Sequence, residues 1–332
     1  MKIAVLGCGA IGSLFLGYLT KAGKDVVGIV RDYQNYAFGQ EGLVINKDGA
    51  DEVIAVRANT RLNYYVDLAI FASKINDLKQ IIQDNLEYLK KATALSTQNG
   101  IRADYILRDY FPEDKIITSV VMFGATFYSP NKVVSNFDGC LIVGSIFDQR
   151  VSNFNEVKEC LKTTFNVCDS SDIKGAKYLK LLINLNNCIP ACLGKSMQEV
   201  FSDIGFSRLA IKINQEAYNI IEKSGIKLVS LPDYPKERIE GLVSMDINQA
   251  AGIFSKIMSS LSEKPLYGSI LQSIRRKKPS EIDYINGEVV KLAKENSLKA
   301  PLNNKIVELV HKVEESGEFL SKEELLKAVE VS

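Results

Sequence analysis

Ile3-Ala4-Val5-Leu6-Gly7-Cys8-Gly9-Ala10-Ile11-Gly12 is the stretch on which the fold of this chain turns. Residues 3–6 form an unbroken apolar run, the pattern of a buried strand. Beyond the glycines, Ile11, Leu14, Phe15, Tyr18 and Leu19 recur at helical spacing. A strand, a G-x-G-x-x-G turn and a helix in that order build a dinucleotide-binding unit. Gly7 permits the tight turn, Gly9 lets the backbone approach a pyrophosphate, and Gly12 allows the helix to pack closely. The helix N-terminus, with Cys8, Ala10 and Ile11 completing the loop, then offers N–H groups and positive dipole to the phosphates.

The next strand, residues 25–30, ends at Arg31, about twenty residues past the turn. There an NAD site places an acid on the ribose hydroxyl and an NADP site places an arginine. Arg31 points to NADPH/NADP+, while the adjacent Asp32 offers itself for the acid's part. Further strands are expected at 67–72, 93–97 and 115–121, alternating with helices at 75–90 and 101–111. That order implies parallel crossovers and a doubly wound sheet. Short strands near 133–135 and 140–144 should add an antiparallel extension. From residue 173 the pattern changes to long amphipathic segments. The expected architecture is therefore α/β, with a Rossmann-type cofactor domain at 1–172 and an all-helical substrate domain at 173–332, joined directly by a helix. Ligands of such sheets lie outside the carboxyl ends of the strands. That rule selects residues 7–12, Arg31, Lys74 after Ser73, and Asn99 within Gln98-Asn99-Gly100. Lys74 suits a phosphate and Asn99 a cofactor or substrate hydrogen bond, although Asn-Gly is also an ordinary turn pair.

Composition narrows the partners. The chain has 332 residues, too many for one ordinary core, and its 41 basic and 40 acidic residues give a net charge of +1. Because these charges are interspersed, no nucleic-acid or membrane-surface partner is expected. The one basic run, Arg275-Arg276-Lys277-Lys278, reads as a helix C-terminus complementing its dipole. Residues 1–20 resemble a signal peptide in hydropathy, but three spaced glycines interrupt them and no small-residue cleavage site follows. Six cysteines without a C-x-x-C pair, and a single histidine, leave no zinc site or disulfide framework. They read as reduced thiols of a cytoplasmic protein, and no metal is expected.

A hydride-transfer enzyme needs a proton donor for the carbonyl oxygen, most often histidine. His311 lies in an amphipathic helical pattern that suits a surface role better, so the proton must come from elsewhere. The segment from Tyr178 to Pro190 offers Lys180 within an otherwise apolar helix. On a continuous helix Asn184 falls about 40° and Asn187 about 20° from it around the axis. Burial would lower the lysine pKa toward the range of a general acid, whereas a lysine that snorkels to water stays open as the structural alternative. Downstream, Pro279 and Ser280 announce a helix start, with Ser280 and Asp283 resembling a capping pair.

Taken together, these motifs resemble the ketopantoate reductase (2-dehydropantoate 2-reductase) family nearly end to end. The resemblance is carried by residues 1–12, by Gln98-Asn99-Gly100, and by Lys180-Leu181-Leu182-Ile183-Asn184 as a K-L-x-x-N helix. Glu281-Ile282-Asp283-Tyr284-Ile285-Asn286-Gly287 and Ala300-Pro301-Leu302-Asn303 complete it. It implies a helical domain like that of 6-phosphogluconate dehydrogenase and NADPH-dependent reduction of ketopantoate to pantoate in pantothenate and coenzyme A synthesis. Lys180 would be the general acid, and Glu281 would bind the substrate hydroxyl and help hold the lysine. Asn99, Asn184 and Ser269 would contact the 2-oxo acid, while Arg31 and Lys74 would meet NADPH. The active site is then expected in a cleft between the two domains. Two positions depart from the pattern. Cys188, counted with Asn187 among the substrate contacts, stands where a second asparagine is common, eight residues after the lysine; Asn187 could stand in if Pro190 bends the helix. Ser273 stands where aspartate is frequent. A paralogous reductase of another small 2-oxo or 3-oxo acid therefore stays open. So does a catalytically silent NADP-sensing protein, which would have no use for a buried Lys180 with Glu281 opposite. A homodimer is left open as well.

Overall fold

The computed structural model describes residues 1–147 and 149–330; Asp148, Val331 and Ser332, the last two being the end of the expected helical domain, lie outside the described residues. The chain divides into two compact units, Met1–Lys174 and Gly175–Ser332.

The first unit begins with β1 (Lys2–Leu6), α1 (Ala10–Lys21), β2 (Asp25–Ile29), α2 (Asp32–Glu41), β3 (Leu43–Lys47), β4 (Ala50–Ile54) and β5 (Ala58–Asn59). It continues through β6 (Leu68–Phe71), α3 (Ile75–Leu89), β7 (Thr93–Ser96), α4 (Arg102–Arg108) and β8 (Ile116–Val121). It closes with β9 (Gly124–Ser129), β10 (Lys132–Phe137), β11 (Cys140–Gly144), α5 (Phe154–Lys162) and β12 (Asn166–Asp169). The main sheet has the order β12-β11-β8-β7-β6-β1-β2-β5. It is parallel from β8 to β5, and β11 pairs antiparallel with β8. β6 and β1 are buried along nearly their whole length, as continuous apolar runs in a covered parallel sheet should be. β1 lies between β2 and β6, so the chain reverses its winding direction there. This is the switch point at which an open α/β sheet leaves a crevice.

The second sheet, β4-β3-β10-β9, was not expected. Residues 133–135 belong to it and do not extend the main sheet as supposed, whereas 140–144 does so as β11. Its β3–β4 hairpin turns through Asp48 at φ 52° and Gly49 at φ 84°. That Asp-Gly pair is the sequence signal of a tight hairpin, but β4 is Ala-Asp-Glu-Val-Ile with only its last residue buried. An apolar alternation test passes over it. Helix α1 packs between the two sheets, and a Cβ on Gly17 would meet Ile45 Cδ1 and Leu43 Cδ2. Being covered on both sides, α1 is apolar around most of its girth, with Leu14, Phe15, Leu16 and Leu19 all buried. Phe15 and Phe123 close on Phe165, the latter pair stacked at 5.3 Å.

The second unit is helical. It contains α6 (Ile173–Leu185), whose first turn holds the boundary, then α7 (Cys188–Leu193), α8 (Met197–Phe201), α9 (Ile204–Lys223) and α10 (Glu237–Ser244). There follow α11 (Ile247–Ser259), α12 (Ser269–Arg275), α13 (Asn286–Glu295), α14 (Pro301–Ser316) and α15 (Lys322–Glu330). The basic run beginning at Arg275 ends α12, as its charge suggested. Among the described residues no helix is long and apolar enough to cross a membrane.

Candidate active site

In the first unit, every residue selected by the strand-end rule follows a strand of the contiguous set β7-β6-β1-β2. Gly7, at φ 92°, bonds its N–H to Ile29 O at 2.9 Å, which ties the glycine turn to the end of β2. A Cβ on Gly7 would sit 2.6 Å from the backbone of Ser73, so the loops after β1 and β6 touch at the switch point. A Cβ on Gly12 would run into the Gly7 carbonyl oxygen, which is why α1 can begin so close to the turn. Gly9 differs: nothing lies within 4 Å of the Cβ it lacks. Gly7 and Gly12 are thus required by the protein's own packing, and Gly9 keeps space open where a ligand's phosphates would pass.

Helix α1 has no side-chain cap at Gly9 and no acidic residue in its first turn. Its leading N–H groups and positive dipole meet no carboxylate from the helix's own first turn. Ala10 and Ile11 form that first turn, and the Cys8 carbonyl is held by Ser13 Oγ at 3.1 Å and by Gln34 Nε2 at 2.8 Å. Burial pushes the Cys8 thiol far above its ordinary pKa, so it packs and does not react. Open space at Gly9 and an uncapped helix start fit a pyrophosphate.

Arg31 occupies the N-cap position of α2 without a side-chain capping bond and pairs with Asp77 of α3 at 3.2 Å, both side chains being more than half exposed. An exposed pair of this kind contributes about 0–1 kcal/mol, so a 2′-phosphate would recruit the guanidinium at little cost. Asp32 is the first residue of α2. Lys74 precedes α3 and Asn99 lies in the turn after β7, both half-buried. Gln98 Nε2 bonds Ser73 O at 3.1 Å, binding the β7 loop to the β6 loop. Gly100, at φ 73°, takes the left-handed conformation expected of an Asn-Gly bend. Gln34 belongs to no motif and is found only from its contact with the Cys8 carbonyl, and the tie between Gln98 and Ser73 is likewise seen only in the structure.

In the second unit, Lys180 and Asn184 share α6, one turn apart and both half-buried. Lys177, one turn earlier, is the more deeply buried lysine at 3% exposure, so the burial attributed to Lys180 falls chiefly on its neighbour. The continuous polar stripe does not extend to Asn187. Helix α6 ends at Leu185, Asn187 N–H turns back to Asn184 O at 3.1 Å, and α7 starts at Cys188. Pro190 is the cause, since it has no N–H and its ring excludes a helical carbonyl at residue 186. It sits in the first turn of α7, where an N–H has no intrahelical partner anyway.

Asn187 instead faces the start of α12, where a Cβ on Gly268 would stand 3.2 Å from Asn187 Cβ and Cγ. That close approach brings the exposed Ser269 beside Asn187. Ser273 donates its hydroxyl to Ser269 O at 2.8 Å within α12. Cys188 is fully buried, and burial pushes its thiol well above the ordinary range. Its sulfur accepts from Asn286 Nδ2 at 3.8 Å, the same group that bonds Asn303 Oδ1 at 3.0 Å. Asn303 Nδ2 in turn donates to Glu216 Oε1 at 2.8 Å, and Glu216 also takes the N–H groups of Leu302 and Asn303. Cys188 therefore abuts a buried amide chain joining α7, α13, α14 and α9.

Glu281 lies at the head of the 3₁₀ turn Ile282–Tyr284, half-buried. The expected Ser280–Asp283 capping pair does not form: Ser280 Oγ takes the N–H of Ile282, whereas Asp283 pairs with His311. None of the six cysteines forms a disulfide.

A glycine turn at the switch point of a parallel sheet, followed in sequence by a helical unit, defines a two-unit dinucleotide-binding α/β protein of the oxidoreductase kind. Residues 3–146 match the family model for ketopantoate reductase PanE/ApbA and residues 172–314 match its C-terminal model. The chain is 30% identical over 310 residues to a 2-dehydropantoate 2-reductase of Pyrococcus abyssi, across 91% of this chain and 94% of that protein. It belongs to the ketopantoate reductase family. A D-mandelate dehydrogenase solved with NADH and anilino(oxo)acetate shares its fold, with a TM-score of 0.82 at 23% identity over 95% of this chain and 99% of the other. A PanE/ApbA family ketopantoate reductase from Ralstonia eutropha does so with a TM-score of 0.79 at 24% identity, over the same shares of the two chains.

Proposed function

We propose that this chain reduces 2-dehydropantoate to pantoate with NADPH, in the cytoplasmic route to pantothenate and coenzyme A. The observation that carries the reading is the glycine turn with its open Gly9 and uncapped α1, in a chain whose second half matches the family's C-terminal model. Residues 1–172 serve the cofactor and 173–332 the substrate. Residues 7–12 receive the pyrophosphate, Lys74 and Arg31 the further phosphates, and Asn99 the cofactor or substrate. When bound, the nicotinamide supplies a hydride to the ketone carbon. Lys180 gives its ammonium proton to the ketone oxygen and is left as the neutral amine, which water reprotonates. Glu281 accepts the substrate's hydroxyl hydrogen and, as an anion, favours the ammonium form of Lys180. Asn184, Asn187 and Ser269 contact the 2-oxo acid. The sole histidine does not compete for the acid's role, because both its ring nitrogens meet carboxylates.

One observation favours a second reading. Cys188, at a position counted among the substrate contacts, is fully buried against Asn286. A site with one amide fewer would suit a different small 2-oxo or 3-oxo acid. NADPH oxidation measured against a panel of such acids separates the cases. The highest kcat/KM with ketopantoate supports the first reading, and preference for another acid supports the second. No turnover with any acid, alongside NADPH binding, would identify a silent NADP-sensing protein.

A further inference from the structure

The single histidine of the chain stands on α14 with a carboxylate at each ring nitrogen. His311 Nε2 is 2.9 Å from Asp283 Oδ1, and Nδ1 is 3.0 Å from Glu314 Oε2. The other oxygen of Glu314 accepts the N–H of Ser280 at 2.7 Å. The segment 280–284 is thereby fastened to α14 at two points, the Ser280 N–H and the Asp283 carboxylate, and Glu281 lies between them. A carboxylate only accepts. A neutral imidazole has one N–H and would turn a lone pair toward one of the two carboxylates, whereas the imidazolium donates to both.

We propose that His311 is a positioning residue for Glu281: charged, it clamps the 280–284 turn against α14, and neutral, it lets one fastening go. The inference rests on the reading of Glu281 as the group that binds the substrate hydroxyl. Burial of the imidazole opposes its charging, but the hydrogen bonds to Asp283 and Glu314 outweigh it and raise the pKa above the ordinary histidine value. Among the described residues these two anions, one from the 3₁₀ turn and one from α14 itself, are the charged groups that bear on it. Because the folded pKa is the raised one, the clamp is complete below the ordinary value and is lost as pH rises through the raised value.

As the only histidine, His311 gives the only histidine Cε1–H signal, so its titration can be followed directly by NMR. Its midpoint should lie above the ordinary value and fall in Asp283→Asn and in Glu314→Gln, the latter keeping an acceptor for Ser280. In the wild type, KM for the 2-oxo acid should rise about three- to tenfold through that pH interval while NADPH affinity holds, with a smaller fall in kcat because Glu281 also holds Lys180. His311→Gln should show the raised KM throughout and no inflection. An inflection that persists in His311→Gln, or none in the wild type, overturns the proposal. Should no 2-oxo acid be turned over, the functional reading fails on its own. The amide signals of 280–284 then decide the clamp, since they must follow the His311 titration in the wild type, and signals that stay fixed refute it.

Discussion

The glycine turn before α1 and the junction between α6 and α7 are both places where regular structure stops next to functional groups, yet they are built differently. At the first, the groups offered to a ligand are backbone N–H groups. Their placement follows from Gly7 and Gly12, whose positions are set by backbone contacts with Ser73 and with Gly7 itself, while Gly9 between them is left open. At the second, the groups are side chains. Where they point depends on how two helices divide around Pro190, which moves Asn187 toward α12 and leaves Cys188 in the core. Sites made of backbone carry over from spacing to geometry, whereas sites made of side chains must wait for the neighbours that orient them.

The contrast is tested most strongly at the two lysines of α6. Lys180→Ala should lower turnover by about 10²–10⁴-fold, the span of general acid catalysis, with NADPH binding intact. Near-normal turnover in that variant, with Lys177→Ala inactive, would transfer the proton to the more buried lysine and sever the side-chain site from its motif.

The glycines supply the next test, read by thermal or denaturant unfolding beside a cofactor-binding isotherm. Gly12→Ala should cost about 3 kcal/mol or more of stability, because the intruding methyl meets a backbone oxygen that has no room to move. Gly9→Ala should fold with unchanged stability and lose cofactor affinity. If both variants lose stability alike, the division between a packing glycine and a ligand glycine is wrong.

Arg31→Ala should raise KM for NADPH by about 10–100-fold, the worth of one or two charge-assisted hydrogen bonds, and leave NADH nearly unchanged. Its surface pair with Asp77 is too weak to matter to stability. Equal losses with both cofactors would shift the discrimination to Asp32.

The smallest expected effect is at Asn303. Removing its amide in Asn303→Ala leaves the buried Asn286 with only the weak Cys188 sulfur as acceptor and should destabilise the chain by about 1–3 kcal/mol. Turnover per folded molecule should hold, since the amide chain orients helices and touches no substrate in this account. A kinetic defect without loss of stability would mean that Asn286 shares the site with Cys188.

Read alone, the sequence determined six strands of the main sheet, all but the edge strands β5 and β12, and the residues beside its switch point. Buried parallel strands are continuous apolar runs, and a glycine turn has few alternatives, so residues 3–12, 68–71, 93–96 and 116–121 declared themselves. It also determined the change to helices near residue 173. Only the tertiary structure decided the rest. The second sheet rests partly on β4, a polar strand with a single buried residue, and its one clear sign was the Asp48-Gly49 turn. The burial of Lys177 over Lys180 and the capture of Cys188 by Asn286 depend on side chains far apart in sequence. So does the fastening of 280–284 by His311 and Glu314. A hydrophobic period reports which way an element faces, but a hydrogen bond between residues a hundred positions apart leaves no period to read.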